Sequence, residues 1–277
     1  GYRFTVVEAS DRAAVKLSRV QSNISTRIKQ LEQHLDKPLF LRRNRGLTLT
    51  PDGHLLLSYA ERLLQLSMEA SEALNEGKPA GVFRIGTMES TAATRLPEIL
   101  SRYHRLYPDV EIVLETDTSG GLMQRLRDRD IDVAFAAEPI SFEAIETQAV
   151  FEEDLVLVTP QSFPPIENTR EISGKTVVAF ETGCAYRRYL QDWLLEAGIV
   201  PGGIMAIGSY IAILACVSAG TGFAVVPQSV LDTISTTGQF QQYPLPGRFT
   251  RIKTLLAWRS DYRSAKLDAL QTLLPSL

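Results

Sequence analysis

At 277 residues, with 44% hydrophobic and 22% charged positions, the chain exceeds an ordinary single domain and is composed like a folded globular protein, so two or more cores are expected. No run of about 18 apolar residues occurs and the N-terminus lacks the charged, apolar and small-residue order of a secretory signal, which predicts a cytoplasmic protein with no membrane partner. The formal net charge of −3 conceals an asymmetry: residues 1–50 hold ten Lys/Arg against four acids, or +6, and the remainder 19 against 28, or −9. A basic head on an acidic body suits a phosphate backbone. Cys184 and Cys216 are the only cysteines and form no CxxC or Cys/His cluster, so reduced thiols, no metal site and no cofactor are expected.

The chain opens with a short helical pattern, Ala13, Ala14 and Leu17. After a break, Ile24, Ile28, Leu31 and Leu35 follow at i, i+4, i+7 and i+11. That stripe is expected to face inward, leaving Gln21, Ser22, Asn23, Ser25, Thr26, Arg27 and Lys29 on the remaining surface. Amides and hydroxyls near a helix start, with an arginine a turn later, are groups that read base edges or bind phosphates in a major groove; a solvated helix face would carry the same residue types. Next, Leu39 and Phe40 lead into Arg42, Arg43, Asn44, Arg45 and Gly46, then the alternation Leu47, Thr48, Leu49, Thr50. This reads as a basic hairpin, a wing able to reach flanking phosphates or a minor groove.

Pro51 and Asp52 open a long helix to about Leu74. Within it Leu56, Leu63 and Ala70 recur every seven residues, with Tyr59 or Ala60, Ser67 and Leu74 between them. The spacing fits a modest dimer seam; packing on its own domain is the alternative. Residues 75–81, with two glycines and Pro79, read as a linker. Beyond it strands and helices alternate: strands at 82–86, 110–115, 131–136 and 154–159, helices at 96–107 and 121–129. Pro160, Pro164 and Pro165 mark a crossing into a second lobe with strands at 176–180, 204–207 and 222–226 and helices at 186–197 and 210–219. Pro227 is expected to begin the return. Such alternation predicts α/β lobes with largely parallel sheets, and two lobes joined by two crossovers enclose a cleft.

The N-terminal residues Ala13, Ala14, Leu17, Gln21, Ser25, Ile28, Leu31, Glu32, Leu39, Phe40, Arg42, Leu49, Thr50 and Gly53 stand at the spacing of the LysR-type transcriptional regulators. Arg84, Ile85, Gly86, Leu96, Pro97, Tyr107, Pro108, Val110, Leu126, Asp132 and the run Val217, Ala219, Gly220, Gly222, Ala224, Pro227 extend the resemblance over essentially the whole chain. Between Phe4 and Ala13 the chain is shorter than the family spacing. The resemblance implies a winged helix-turn-helix domain dominated by α-structure (1–53), a linker helix and hinge for dimerisation (51–81), and an α/β, two-lobed effector domain similar to periplasmic binding proteins (82–277). Its first lobe would hold 82–159 and 229–277, its second 160–228. Gln21, Ser22, Asn23, Ser25 and Arg27 would contact promoter DNA from the recognition helix, and Arg42, Arg43 and Arg45 from the wing. A homodimer or homotetramer, a small-molecule effector and RNA polymerase are the implied partners.

The effector is expected where strand ends and helix starts face each other. These are Thr87, Met88, Glu89, Ser90, Thr91, Thr118 and Ser119 in the first lobe, and Thr182, Gly183, Cys184, Ala185, Tyr186, Arg187, Gly208 and Ser209 in the second. Ser90, Thr91, Thr118, Thr182, Cys184, Tyr186, Arg187 and Ser209 are the candidate contacts. Hydroxyls and backbone donors at helix starts suit a carboxylate, although Ser and Thr there also cap helices. Glu138, after a buried strand, suits an amine, so an amino acid is the other candidate; Arg187 stands where it can pair with Glu181. A helix start can also acidify the Cys184 thiol, while Cys216 reads as core. An enzyme finds little support, since GxSxG, Walker A, HExxH and a strand-following GxGxxG are all missing, and His34, His54 and His104 fall on predicted helices away from the cleft. A solute-binding protein would need export and would have no use for a basic head.

Overall fold

The computed structural model describes residues 21–43, 46–74, 78–234 and 240–275, and the chain divides into two compact units, Gly1–Met68 and Glu69–Leu277. The short helix expected at 13–17 and the shortened spacing before it lie outside the described residues. In the first unit, α1 (Gln21–Leu35) leads to the antiparallel hairpin β1 (Phe40–Arg43) and β2 (Gly46–Leu49), in register from Phe40↔Leu49 to Arg43↔Gly46, and then to α2 (Pro51–Leu74). The apolar stripe of α1 is only partly covered: Ile28 is half-buried, whereas Leu31 and Leu35 remain 43% and 40% exposed.

Three short-range contacts tie these elements together. The Glu32 carboxylate accepts hydrogen bonds from the backbone N–H groups of Leu39 (2.8 Å) and Phe40 (3.1 Å), fixing the hairpin to the helix. Thr50 is the residue before α2; its hydroxyl accepts from Gly53 N–H (2.9 Å), donates to Pro38 O (2.7 Å), and so caps the helix while holding the turn. Gly53 lies against the Leu39 carbonyl so closely that a Cβ there would stand 2.1 Å from the oxygen.

The second unit begins with β3 (Gly81–Thr87), α3 (Glu89–Thr94), α4 (Leu96–Leu106), β4 (Val110–Thr116), α5 (Ser119–Arg127), β5 (Val133–Ala137) and β6 (Ile145–Pro160). There follow β7 (Thr176–Ala179), α6 (Ala185–Glu196), β8 (Gly203–Ala206), α7 (Tyr210–Ser218), β9 (Ala224–Pro227), α8 (Gln228–Thr233), β10 (Phe240–Pro244), β11 (Arg251–Arg259) and α9 (Ala265–Gln271). Strand β3 pairs in parallel with β4 and β5; β11 pairs antiparallel with both β5 and β6. Strand β5, Val-Ala-Phe-Ala-Ala, is buried throughout, as a central strand covered on both faces must be. Its alternate residues serve different cores. Val133 and Phe135 pack with Phe83, Leu96, Tyr103 and Leu256, while Ala134 and Ala136 face the cluster of Leu122, Leu126 and Ile131 that continues into the second lobe.

The lobes share one strand. Residues Ile145–Asp154 of β6 pair with β11, and from Leu155 onward β6 pairs with β9 and β10. The second lobe also contains the parallel pair β7 and β8, bridged to Phe223 through Val177. Two expectations are corrected here. The sheets are mixed rather than largely parallel, because β6 and β11 run against their neighbours. The return does not occur at Pro227: Phe240 to Pro244 pair with Pro160 to Val156, so the chain leaves the second sheet only between Pro244 and Arg251. The ladder hydrogen bonds available along the far half of β6 account for the later return, and those of its near half and of β5 for the antiparallel β11.

Where β6 passes between the sheets it carries Glu153, only 2% exposed. Its carboxylate accepts from Arg95 Nε (2.7 Å) and Nη2 (3.1 Å) and from the Ser229 hydroxyl (2.7 Å). A buried carboxylate persists only when so compensated.

Two outcomes follow from these contacts. Gly53→Ala forces the Leu39 backbone to move at a cost of about 1–3 kcal/mol; the melting of the first unit should fall while the melting of the second is unchanged, as resolved by calorimetry. Arg95→Ala strands the Glu153 carboxylate and should destabilise the second unit by on the order of 3 kcal/mol, with Arg95→Ala/Glu153→Gln recovering part of the loss in urea unfolding.

Candidate functional site

On the first unit the eight residues expected at DNA fall as follows. Gln21, Ser22 and Asn23 occupy the first turn of α1 and Arg42 and Arg43 lie on β1, their side chains outside the described residues, as is Arg45 entirely. Ser25 is half-buried and Arg27 exposed on the same helix. The Glu32 contacts to Leu39 and Phe40 fix the hairpin that carries Arg42 and Arg43 to the helix that carries the other set.

Within the second unit a cleft opens between the lobes. Its inner chamber, about 20 Å³, is walled by Met88, Glu89, Ser90, Asp117, Thr118, Ser119, Phe180, Cys184, Tyr186 and Tyr210, and an outer part of about 310 Å³ adds Thr116, Glu181 and Gly208. Of the eight expected effector contacts the structure brings four together here: Ser90, Thr118, Cys184 and Tyr186. The other four are elsewhere. Thr91 is buried in α3, Thr182 is exposed beside the chamber, and Ser209 precedes α7 without hydrogen-bonding its N-terminus. The Arg187 guanidinium donates to the Phe180 carbonyl (3.0 Å) and lines a separate cavity with Leu190 and Leu194 behind the sheet, so it pairs with the backbone and not with Glu181. Glu138 also stays out of the cleft, where it accepts from Lys253 N–H (2.9 Å).

The helix starts that face the cleft already hold carboxylates. Glu89 Oε2 accepts from Tyr210 N–H at the start of α7 (2.9 Å), a contact between the lobes; a second, Gly120 N–H to Gly183 O (3.2 Å), lies beside it. Asp117 Oδ1 accepts from Thr118 N–H (2.7 Å), and the Asp117 carboxylate lies against Gly121 in the first turn of α5. Thr118 caps α5 by accepting from Gly121 N–H (3.2 Å), whereas Met88 precedes α3, so Ser90 and Thr91 are not its caps. The buried hydroxyls of Ser90, Thr91 and Tyr186 have no hydrogen-bond partner; Tyr186 lies near those of Ser90 and Thr254 without bonding geometry to either. Burial raises the Tyr186 and Tyr210 phenols, which therefore stay neutral donors.

Asp117, Phe180, Glu181 and Tyr210 were missed from sequence as wall residues. Asp117 and Glu181 each adjoin a candidate, Thr118 and Thr182, and two acids on strand-end loops were the available signal. Cys184 corrects another expectation: although it precedes α6, burial pushes its thiol up, outweighing the backbone hydrogen bonds from Arg187 and Tyr186 that act the other way. Among the described residues no acid, His or Cys cluster fits a metal, and no helix is long and apolar enough to cross a membrane.

Residues 9–54 match the family described as bacterial regulatory helix-turn-helix protein, lysR family, and residues 76–276 match the LysR substrate binding domain. The chain is 36% identical over 251 residues to the HTH-type transcriptional regulator GltR of Bacillus subtilis, spanning 90% of this chain and 85% of GltR. To CzcR of Bacillus thuringiensis it is 37% identical over 250 residues, spanning 90% and 85%. In structure it is similar to a full-length OxyR variant from Pseudomonas aeruginosa, with TM-score 0.69, 23% identity and coverage of 95% and 87%. Full-length CbnR complexed with its target DNA gives TM-score 0.68 at 21% identity, covering 96% and 93%. At these identities the structural likeness concerns the fold.

The raised Cys184 thiol gives a measurable outcome. Its thiolate form is populated only above the ordinary thiol range near ~8.5. Peptide-resolved alkylation by iodoacetamide at neutral pH should therefore be far slower at Cys184 than in a urea-unfolded control, and alkylation at the unfolded rate would contradict the burial argument.

Proposed function

The chain belongs to the LysR family of bacterial helix-turn-helix transcriptional regulators, and on that premise we propose that it binds a double-stranded promoter sequence through α1 and the hairpin under the control of a small effector held between its lobes. The observation that carries the DNA half is the Glu32 carboxylate on Leu39 and Phe40 N–H, which ties helix α1 to the hairpin that bears the arginines. Base reading then falls to Gln21, Ser22, Asn23, Ser25 and Arg27, and phosphate anchoring to Arg42, Arg43 and Arg45. The +6 charge of residues 1–50 supplies the attraction to the duplex.

Residues 1–53 act as the DNA-binding domain, 51–81 as linker and oligomer contact, and 82–277 as the effector domain. Helix α2 supports a homodimer or homotetramer: Leu55, Tyr59, Leu63 and Leu66 recur at i, i+4, i+8 and i+11 and are between 47% and 68% exposed, an apolar stripe that a second copy would cover. The protein works in the cytoplasm, with RNA polymerase as its further partner. Of the two effector classes, carboxylate and amino acid, the second accords better with the cleft, because its ammonium group meets attraction from Glu89 and Asp117, which occupy the helix starts that would attract a free carboxylate. Ser90, Thr118, Cys184 and Tyr186 are its wall contacts.

Binding to upstream promoter fragments and a scrambled duplex, measured across salt concentration, tests the reading. Gln21→Ala should lose discrimination by about 1–3 kcal/mol, while Arg42→Ala should weaken both duplexes alike and reduce the salt slope by about one. A folded protein that binds no promoter fragment better than scrambled DNA would sink the regulator reading.

A further inference from the structure

Building on the effector reading above, we propose that the cleft selects an effector by its ammonium group, bound between Glu89, Asp117 and Glu181 against the Phe180 and Tyr210 rings. Three features of the wall converge on that chemistry. The first is charge. Glu89, Asp117 and Glu181 line the cavity, and none of its described wall residues is Lys, Arg or His. Glu181 makes no ion pair or hydrogen bond through its side chain among the described residues, and it lines the outer part of the cavity beside Gly208.

The second feature is what has become of the helix starts. The partial positive charge at the N-terminus of α7 is met by Glu89 through Tyr210 N–H, and that of α5 by the adjacent Asp117. An incoming carboxylate would meet like charge at both places where the backbone would otherwise attract it. An ammonium group meets attraction at each.

The third is the unused bonding capacity in the inner wall. Ser90 and Tyr186, each 2% exposed, both line the chamber, and their enclosed hydroxyls lie near each other without a hydrogen bond of good geometry. Leaving such groups unpaired is costly, and an ammonium group brings three N–H donors and no acceptor, which suits the hydroxyl and carboxylate oxygens present. The Phe180 and Tyr210 rings, centroids 4.7 Å apart, border the same chamber, and a cation gains further from an aromatic face. The inner chamber, about 20 Å³, takes a single water-sized group such as an ammonium, and the outer part, about 310 Å³, takes the rest of the ligand.

The test uses the full chain, free of DNA, in thermal unfolding with 1,4-diaminobutane, ethanolamine and L-lysine set against succinate, acetate and benzoate at equal ionic strength. At least one amine should raise the Tm in a saturable way while the three carboxylates leave it unchanged. Glu181→Gln, at an exposed position where folding is not at stake, should weaken the apparent affinity of that amine roughly tenfold, and Glu89→Gln should do the same. Stabilisation by the carboxylates alone, an amine response untouched by both variants, or no response to any of the three amines would each overturn the proposal. Promoter binding is measured on the same samples. Intact specific binding with a failed amine response would refute only the ammonium assignment, whereas loss of specific binding in a folded protein would refute the regulator reading beneath it.

Discussion

A carboxylate buried inside a strand shared by two sheets is the constraint around which the larger unit is arranged. Glu153 sits on β6 just before the strand changes partner from β11 to β9 and β10, and in that position its charge is sealed from water. Only close cationic and hydroxyl partners make such burial tolerable. Arg95, at the junction of α3 and α4, and Ser229, in the first turn of α8, supply them, so three elements from distant parts of the chain are drawn to the crossing. The Arg95 guanidinium also stands over the Phe151 ring, 5.9 Å from its centroid, adding packing to the ion pair. The same region holds Tyr186, whose phenol is raised by burial first and by the Glu153 charge second. The Glu153 charge at the strand crossing is therefore felt at Tyr186 in the inner wall of the cleft.

That continuity shapes the cleft. Strand ends and helix starts converge there as in other open α/β architectures, and backbone N–H groups at such starts ordinarily make an anion site. Here the chain supplies the anions itself, one from the first residue of α3 and one from the loop before α5. Glu89 reaches across the opening to α7, and Asp117 folds back on α5. The contact from Glu89 also joins the lobes, so the group that sets the charge of the cleft also helps to close it. A ligand that engages Glu89 acts on both properties at once.

The first unit solves a different problem with short-range contacts. Among its described residues Leu31 and Leu35 remain substantially exposed. Its order comes from backbone groups satisfied at specific points: Glu32 on two N–H groups, the Thr50 hydroxyl between Pro38 and Gly53, and Gly53 in close approach to Leu39. Residues that in the sequence look like unrelated polar positions are the fasteners between helix, hairpin and long helix.

What the sequence determined by itself was whatever depends on neighbours along the chain. Helix periodicity placed α1 and α2, the Pro51 start and the Leu47 to Thr50 alternation placed the boundaries of the hairpin and the long helix, and the buried run at β5 was legible because a strand covered on both faces must be apolar throughout. Charge asymmetry and residue spacing pointed to DNA and to the family. Strand ends bearing Ser90, Thr118, Cys184 and Tyr186 were readable as cleft wall for the same local reason. The tertiary structure decided what depends on partners far away in sequence: that β6 serves two sheets, that Phe240–Pro244 still belongs to the second of them, that Arg187 turns to a backbone carbonyl, and that Glu89 ends on Tyr210, 121 residues on. A carboxylate in a sequence carries its charge wherever it goes, but whether it caps a helix, closes a cleft or faces a ligand depends on which backbone groups the folded chain brings within hydrogen-bonding distance.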